Sequence, residues 1–106
     1  MTDLVLVLTA APTRDAATAL ARSAVESRRA AGAQVLGPVI SAFWHYGEFG
    51  TGEEWQVALQ TSLDRYPELE NHLIEQHPLD NPQIIAVPIA AAPAAYLAWA
   101  RASTTG

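Results

Sequence analysis

Residues 34–61 read QVLGPVISAFWHYGEFGTGEEWQVALQT, and this stretch predicts a long β-hairpin. The part from Gln34 to Tyr46 is strand-like, and Gly37-Pro38 near its start indicates a bulge or bend. From Glu53 to Thr61 the residue types alternate with the period of two that is typical of a strand. Three glycines predict the turn between the strands: Gly47, Gly50 and Gly52.

The residues before the hairpin predict one strand and one helix. The apolar run from Leu4 to Thr9 is typical of a strand buried on both faces. Thr13 or Asp15 can cap a helix that is expected to continue to about Ala31 and stop at Gly32. The helix would bury a stripe of small apolar residues: Ala17, Leu20, Ala21, Ala24 and Ala31.

The residues after the hairpin complete the fold. Asp64 is expected to cap a helix that has Pro67 in its first turn and that ends at His77-Pro78. Gln83 to Ile89 predicts a fourth strand, and Pro93 opens a last short helix. The order β-α-β-β-α-β plus a terminal helix is the split βαβ, ferredoxin-like arrangement. We therefore predict an α+β fold whose antiparallel sheet carries both inner helices on one face.

Composition limits the kind of protein. The chain has 106 residues, enough for a single domain over 1–106, and 50% of them are hydrophobic. Eleven acidic residues against six basic ones give a net charge of -5, which argues against nucleic-acid or anionic-membrane partners. With no cysteine, disulfides, thiolate metal ligands and a thiol nucleophile are excluded. Because the apolar run Leu4 to Leu8 is too short for a membrane span or signal peptide, a cytoplasmic location is expected.

Two features of the sequence predict self-association. A strand of about a dozen residues extends about 40 Å, whereas a globule of this length has a radius of gyration of only about 13 Å. The hairpin should therefore project beyond its own domain. The first strand is also apolar on both faces, and the chain has no spare element to cover the second face. Further copies of the chain would cover both surfaces. The alternative is a monomer with a twisted, exposed ribbon.

No sequence motif indicates catalysis, but one group of polar residues suits metal binding. The group comprises His45, Glu48, Glu53, Glu54, His77 and Asp80. Imidazole and carboxylate together suit zinc, copper or nickel, although the spacing matches no closed metal site. Two alternatives remain, namely that His77 caps a helix and that Glu54 forms a structural ion pair. Glu54 is the strongest single candidate for binding, since it shares a polar strand face with Gln56 and Gln60.

Several short runs, in order and with matching spacing, resemble the CutA family of divalent-cation tolerance proteins. The runs are Ala30–Gln34, Ser41–Gly47, Glu54, Gln60-Thr61, His77–Leu79, Pro82–Ile84, Val87–Ile89 and Tyr96–Trp99. The resemblance implies a ferredoxin-like, PII-like homotrimer whose hairpins extend sheets across subunit boundaries. It also implies a link to copper tolerance and a role in sensing or regulation. The family positions that line the cleft between subunits correspond here to Trp44, Glu54, Gln60, His77 and Leu79.

The chain departs from the family pattern at three positions. Gly32 stands in place of a cysteine, Gln60 in place of a lysine, and Leu79 in place of a tyrosine. Without a thiolate, any bound copper is expected to be copper(II), or another divalent cation could take its place. The expected ligands are the imidazole and carboxylate groups of His45, Glu48, Glu54 and His77.

The sequence thus favours a non-enzymatic homotrimer that binds a metal ion or small ligand and has a regulatory role. A structural scaffold trimer that docks a partner protein is the alternative. A third reading, a hydrolase or isomerase that uses Glu54 as base and His77 as acid, rests only on the versatility of the fold.

Overall fold

The computed structural model of the chain describes residues 2–105 and contains four strands and three helices. The elements are β1 (Leu4–Ala11), α1 (Arg14–Glu26), β2 (Gly32–His45), β3 (Glu48–Ser62), α2 (Tyr66–Gln76), β4 (Ile84–Pro88) and α3 (Ala94–Ser103). The strands form one antiparallel sheet in the order β2-β3-β1-β4. This confirms the predicted α+β, ferredoxin-like arrangement.

The main core lies between the sheet and the two inner helices. Val7 of β1 lies opposite Leu59 of β3, and both side chains are completely buried. Helix α2 adds Leu69 and Leu73, which are also completely buried. Four residues of α1 complete this layer, as the predicted stripe requires: Ala17, Leu20, Ala21 and Ala24. Burial of each large aliphatic side chain stabilises the fold by about 1.5–3 kcal/mol.

The hairpin is longer and its turn tighter than the sequence predicts. Strands β2 and β3 pair from Gly32 and Gln60 to His45 and Glu48, with an irregularity between Leu36 and Val39. That irregularity confirms the bulge expected near Gly37-Pro38, whose peptide bond is cis. The molecule is accordingly elongated, with extents of 44 × 25 × 22 Å.

The predicted glycine turn is correct only at Gly47. Tyr46 and Gly47 have φ values of 50° and 78°, as in a two-residue type I′ turn, and these two residues alone reverse the chain. Gly50 and Gly52 lie within β3 instead. A Cβ atom at Gly50 would approach the Phe43 ring to 3.0 Å, so this glycine gives space to an aromatic neighbour on β2.

Helix α1 ends at Glu26, so the prediction that it continues to about Ala31 is wrong. Arg28 has a φ of 61°, and the next two amides, of Arg29 and Ala30, both donate to the Ala24 carbonyl. These bonds close the helix in the manner of a Schellman ending, a conformation in which glycine is usual at the left-handed position. Because arginine occupies that position here, the sequence carries no glycine signal for the end of the helix.

Helix α2 starts without the predicted cap. Its N-cap residue is Arg65, and no side chain caps the helix there, so Asp64 does not cap it. Pro67 lies in the first turn as expected, and His77 is the C-cap residue. Proline has no N–H to satisfy, which lowers the need for a capping side chain.

Helix α3 covers part of the second sheet face, contrary to the prediction that the chain has no element for it. Ala100 of α3 and Leu4 of β1 are buried together with Ala31, and Ile89 and Leu97 pack against them. Farther along the same face, apolar side chains remain exposed: Leu36, Ile85 and Val87. Between residues 2 and 105, no helix has the length and apolarity needed to cross a membrane.

Candidate functional site

His77 lies at the end of β1, and both of its ring nitrogens are engaged. Nε2 lies 2.9 Å from the carbonyl oxygen of Ala10 and 3.2 Å from Oγ1 of Thr9. Nδ1 accepts a hydrogen bond of 3.1 Å from the backbone N–H of Leu79. A carbonyl can only accept and an amide N–H can only donate, so the ring is the neutral tautomer protonated at Nε2.

The sheet leaves the backbone carbonyl of Ala10 without a ladder hydrogen bond, and His77 bonds to this carbonyl. The carbonyl of Leu4 points to the same side of β1 as the carbonyl of Ala10. It accepts a hydrogen bond from the backbone N–H of Ile89, on the side where β4 lies. The β1–β4 pairing ends where Thr9 lies opposite Ile84, so the next carbonyl on that side, that of Ala10, has no strand partner. His77 donates to this carbonyl. A side chain thus replaces the missing ladder bond of a partly buried acceptor.

The electrostatics of the site keep His77 neutral. Burial lowers the pKa of His77 below its ordinary value, while the hydrogen bond to Ala10 and the negative charge of Glu54 oppose that shift. Glu54 is therefore near enough to act on the imidazole by charge. Its carboxylate would stabilise any positive charge at this position, whether a proton or a metal ion.

Thr9 belongs to this site, and the sequence analysis missed it. Its side chain is completely buried, and its hydroxyl has His77 as partner. The sequence pattern predicts Thr9 only as the last residue of an apolar strand. The available signal was a hydroxyl-bearing residue at the end of an otherwise apolar run, where a buried polar group needs a partner.

The remaining predicted cleft residues lie elsewhere in the single chain. Gln60 lies six residues along β3 from Glu54, which corresponds to about 20 Å. Trp44 is near the hairpin tip, 75% exposed, with its ring 5.9 Å from that of Phe49. Leu79 is exposed but adjoins the site through its N–H bond to His77. One chain thus brings together only part of the predicted cleft.

The four predicted metal ligands fall into two pairs. His45 and Glu48 lie opposite each other beside the turn, and both are exposed. Glu54 and His77 lie at the end of β1. Within the part of the chain that the structure describes, no three histidine or acidic side chains are grouped so as to hold one ion. The donors of one chain therefore do not fit a complete metal site.

Two of the three departures from the family pattern lie side by side. Gly32 is paired with Gln60 across the hairpin. A Cβ atom at Gly32 would lie 3.1 Å from Oε1 of Gln60 and 3.2 Å from the Cη2 atom of Trp99. The amide and the indole therefore occupy the space next to a residue that has no side chain.

The third histidine, His72 on α2, contacts helix α1. The residue is half-buried, and its Nε2 lies 2.9 Å from Oγ of Ser23 on α1. Burial and the charge of Arg29 lower the pKa of His72, and Glu75 opposes the shift. This histidine links the two helices and lies apart from the candidate site.

The sheet order, the two inner helices on one face and the long hairpin define a ferredoxin-like α+β protein with a polar site at the end of its first strand. Residues 5–103 match the model of the family described as CutA1 divalent ion tolerance protein. The chain belongs to this family.

Individual relatives agree with the family match. The divalent-cation tolerance protein CutA of Pectobacterium atrosepticum is 32% identical over 95% of this chain and 92% of its own length. The structure of the divalent cation tolerance protein CutA1 of Thermus thermophilus has a TM-score of 0.92, is 30% identical, and is matched over 95% of this chain and 98% of its own. The crystal structure of CutA from Xylella fastidiosa has a TM-score of 0.94 and is 25% identical. It is matched over 97% of this chain and 99% of its own.

Proposed function

We propose that three copies of this chain associate and bind a divalent cation, copper(II) foremost, between neighbouring copies, and that this binding serves a regulatory role in divalent-cation tolerance. The observation that carries the proposal is the division of the donors into two pairs. Glu48 and Glu54 are six residues apart on one strand, or about 20 Å. One chain cannot close both pairs on one ion, so the proposal places the hairpin tip of one copy against the His77 site of the next.

The proposed site combines ligands of suitable type. His45 and Glu48 of one copy would approach Glu54 and His77 of another, which gives two imidazoles and two carboxylates. Nitrogen and oxygen donors of this kind suit copper(II) and zinc. The charge of Glu54, which already acts on His77, would favour a cation there.

Metal binding at His77 requires a change in its hydrogen bonds. In the single chain, Nδ1 accepts from Leu79 and Nε2 carries a proton toward Ala10. A metal ion must displace one of these contacts, and at Nε2 it must also displace the proton. Because only a neutral imidazole can bind a metal ion, cation binding should weaken as the pH falls and the ring takes up a proton.

A titration with copper(II) tests this proposal. The wild type, His45→Ala and His77→Ala are titrated at pH 7.5 and 5.5, with His72→Gln as the control because His72 lies away from both pairs. We expect saturable binding at pH 7.5 that weakens by about tenfold or more at pH 5.5 and in both alanine variants. The control should bind as the wild type does. Unchanged binding in both alanine variants would contradict the proposed ligands.

A scaffold that docks a partner protein is the second candidate function, because aromatic side chains are exposed at the hairpin tip. Tyr46 is 94% exposed, and Trp44 and Phe49 beside it are also exposed. No saturable copper binding at either pH would favour this candidate. Under both candidates we propose that the protein is not an enzyme and that it resides in the cytoplasm.

A further inference from the structure

We propose that the cavity between the end of α1 and helix α3 binds a small aromatic zwitterion, a molecule with one ring, one carboxylate and one ammonium group. The cavity has a volume of about 270 Å³. None of its lining residues is a proposed cation ligand, so the two sites share no residue. The lining residues include apolar side chains, one basic residue, Arg28, and one acidic residue, Glu26.

The apolar part of the cavity suits a single ring. Trp99 forms one wall, and Val25 and Ala31 are among the other apolar lining residues. A closed cavity of about 150 Å³ holds benzene. The cavity here is larger and open to solvent, so a ring can lie against the indole while a short charged substituent stays near the surface. An indole wall favours an aromatic occupant because two rings gain from edge or offset contacts.

The two charged lining residues, Glu26 and Arg28, are two positions apart in the sequence. Both can form further hydrogen bonds with a ligand. Arg28 donates one long bond of 3.4 Å, from Nη1 to the carbonyl of Ser103, and a guanidinium has five N–H donors. Among residues 2–105, Glu26 is paired only with Arg22, at 3.6 Å, and both side chains are largely exposed. An arginine suits a carboxylate and a glutamate suits an ammonium group, so the pair is complementary to a zwitterion.

The backbone at Arg28 supports a role for its side chain. With a φ of 61°, this residue holds the left-handed conformation in which glycine is more stable than any residue with a side chain. Arg28 nevertheless lines the cavity, and its guanidinium donates to Ser103, another lining residue. Its bond to Ser103 is long and exposed, which makes it a weak structural reason for an arginine at this position.

Gly32 allows the indole to form the cavity wall. A Cβ atom there would lie 3.2 Å from Cη2 of Trp99, closer than ordinary contact. A larger residue would press the ring from its place. The absence of a side chain at position 32, one of the departures from the family pattern, thereby shapes the wall of this cavity.

The test uses L-phenylalanine as the probe and the shift of the Trp99 indole N–H signal in ¹H–¹⁵N NMR spectra as the readout. The wild type should show saturable binding with a Kd of about 1 mM or below. Arg28→Gly should weaken binding by at least about tenfold, since it removes a charge-assisted hydrogen bond. Its melting temperature should nevertheless hold or rise, because glycine suits the left-handed position. The loss then cannot be attributed to misfolding.

A second variant separates the two charges. Glu26→Gln should weaken phenylalanine binding by about tenfold but leave 3-phenylpropionate, which lacks the ammonium group, within about twofold. Arg14→Gln, at the other end of α1, is the control and should bind both probes as the wild type does. No saturable shift with either probe up to 10 mM, about ten times the expected Kd, would overturn the proposal. Equal binding by Arg28→Gly and the wild type would overturn it too.

Discussion

The hairpin arm, residues 39–54, and the rest of the described chain, here called the body, differ in where their apolar side chains lie. In the body, Leu59 and Leu69 are 0% exposed, enclosed between the sheet and the helices. In the arm, Ile40 is 85% exposed and Trp44 is 75% exposed. Both regions contain the same sheet, since β3 runs from the arm into the body. The difference therefore arises from what covers each part of the strand.

This contrast shows that backbone pairing and side-chain burial are separate requirements. The arm pairs the facing backbone groups of its two strands through the β2–β3 ladder, which continues to His45 and Glu48 at the tip, while the outer edges of both strands face no further strand. It does not bury its side chains within the same chain. A hairpin alone is marginally stable in water, so we expect the arm to depend on contacts with other copies and the body to be stable without them.

The largest effect is expected from truncation within the body. Leu59→Ala removes a completely buried side chain and should reduce the free energy of unfolding by about 3 kcal/mol, because it leaves a cavity in the main core. Phe49→Ala, on the same strand but in the arm, should change the unfolding of dissociated chains by less than about 0.5 kcal/mol. Chemical denaturation at low protein concentration measures both. Equal losses in the two variants would mean that the arm is part of the folded core.

The next effect concerns association. Ile40→Asp places a charge on the exposed arm and should weaken association by about 100-fold or more, since a charge buried at an interface is costly. Ile74→Asp, a matched change at an exposed isoleucine of α2, should leave association unchanged. Dilution experiments by light scattering compare the two. Association that withstands Ile40→Asp would show that the arm is free of contacts between copies.

The sequence predicted the body better than it predicted the site. Element order, the bulge near Gly37 and the end of α2 follow from local signals that the structure confirms. The end of α1 could not be predicted, because Arg28 adopts a conformation usual for glycine. The cover provided by α3 and the bond between Thr9 and His77 are contacts between distant parts of the chain. Such contacts leave no periodic pattern in the sequence.

A smaller effect is expected at His77, which belongs to the body. Its pKa is lowered by burial, so the folded chain keeps the ring neutral where the unfolded chain, with a pKa of about 6.5, is already protonated. The stabilisation is therefore fully present well above pH 6.5 and is lost as the pH falls through the lowered pKa of the folded state.

Replacement of His77 by glutamine tests this pH dependence. His77→Gln should cost about 1 kcal/mol at pH 7.5, the value of a lost hydrogen bond, and less at pH 5. Melting temperatures across this pH range measure the difference, with His72→Gln as the comparison because burial lowers the pKa of His72 in the same direction. A difference between wild type and His77→Gln that grows toward low pH would have the wrong sign.

The smallest effect is expected where the hairpin meets the body. Gly32→Ala brings a methyl group to 3.1 Å from Gln60 and 3.2 Å from Trp99, and both contacts are with side-chain atoms that can move. We expect a change in stability of less than about 1 kcal/mol. Gly37→Ala should cost more, because its Cβ would lie 2.7 Å from the Trp55 ring. Thermal melts that rank the two variants in the opposite order would contradict this description of the hairpin.

The most direct test of the account is sedimentation equilibrium of the wild-type protein at micromolar concentration. If further copies cover the arm and the open sheet face, a single species should appear with three times the 11.3 kDa mass of one chain. The mass should not change on dilution through the micromolar range. A folded species of 11.3 kDa at every concentration would contradict the account, since the exposed arm would then be stable without a partner.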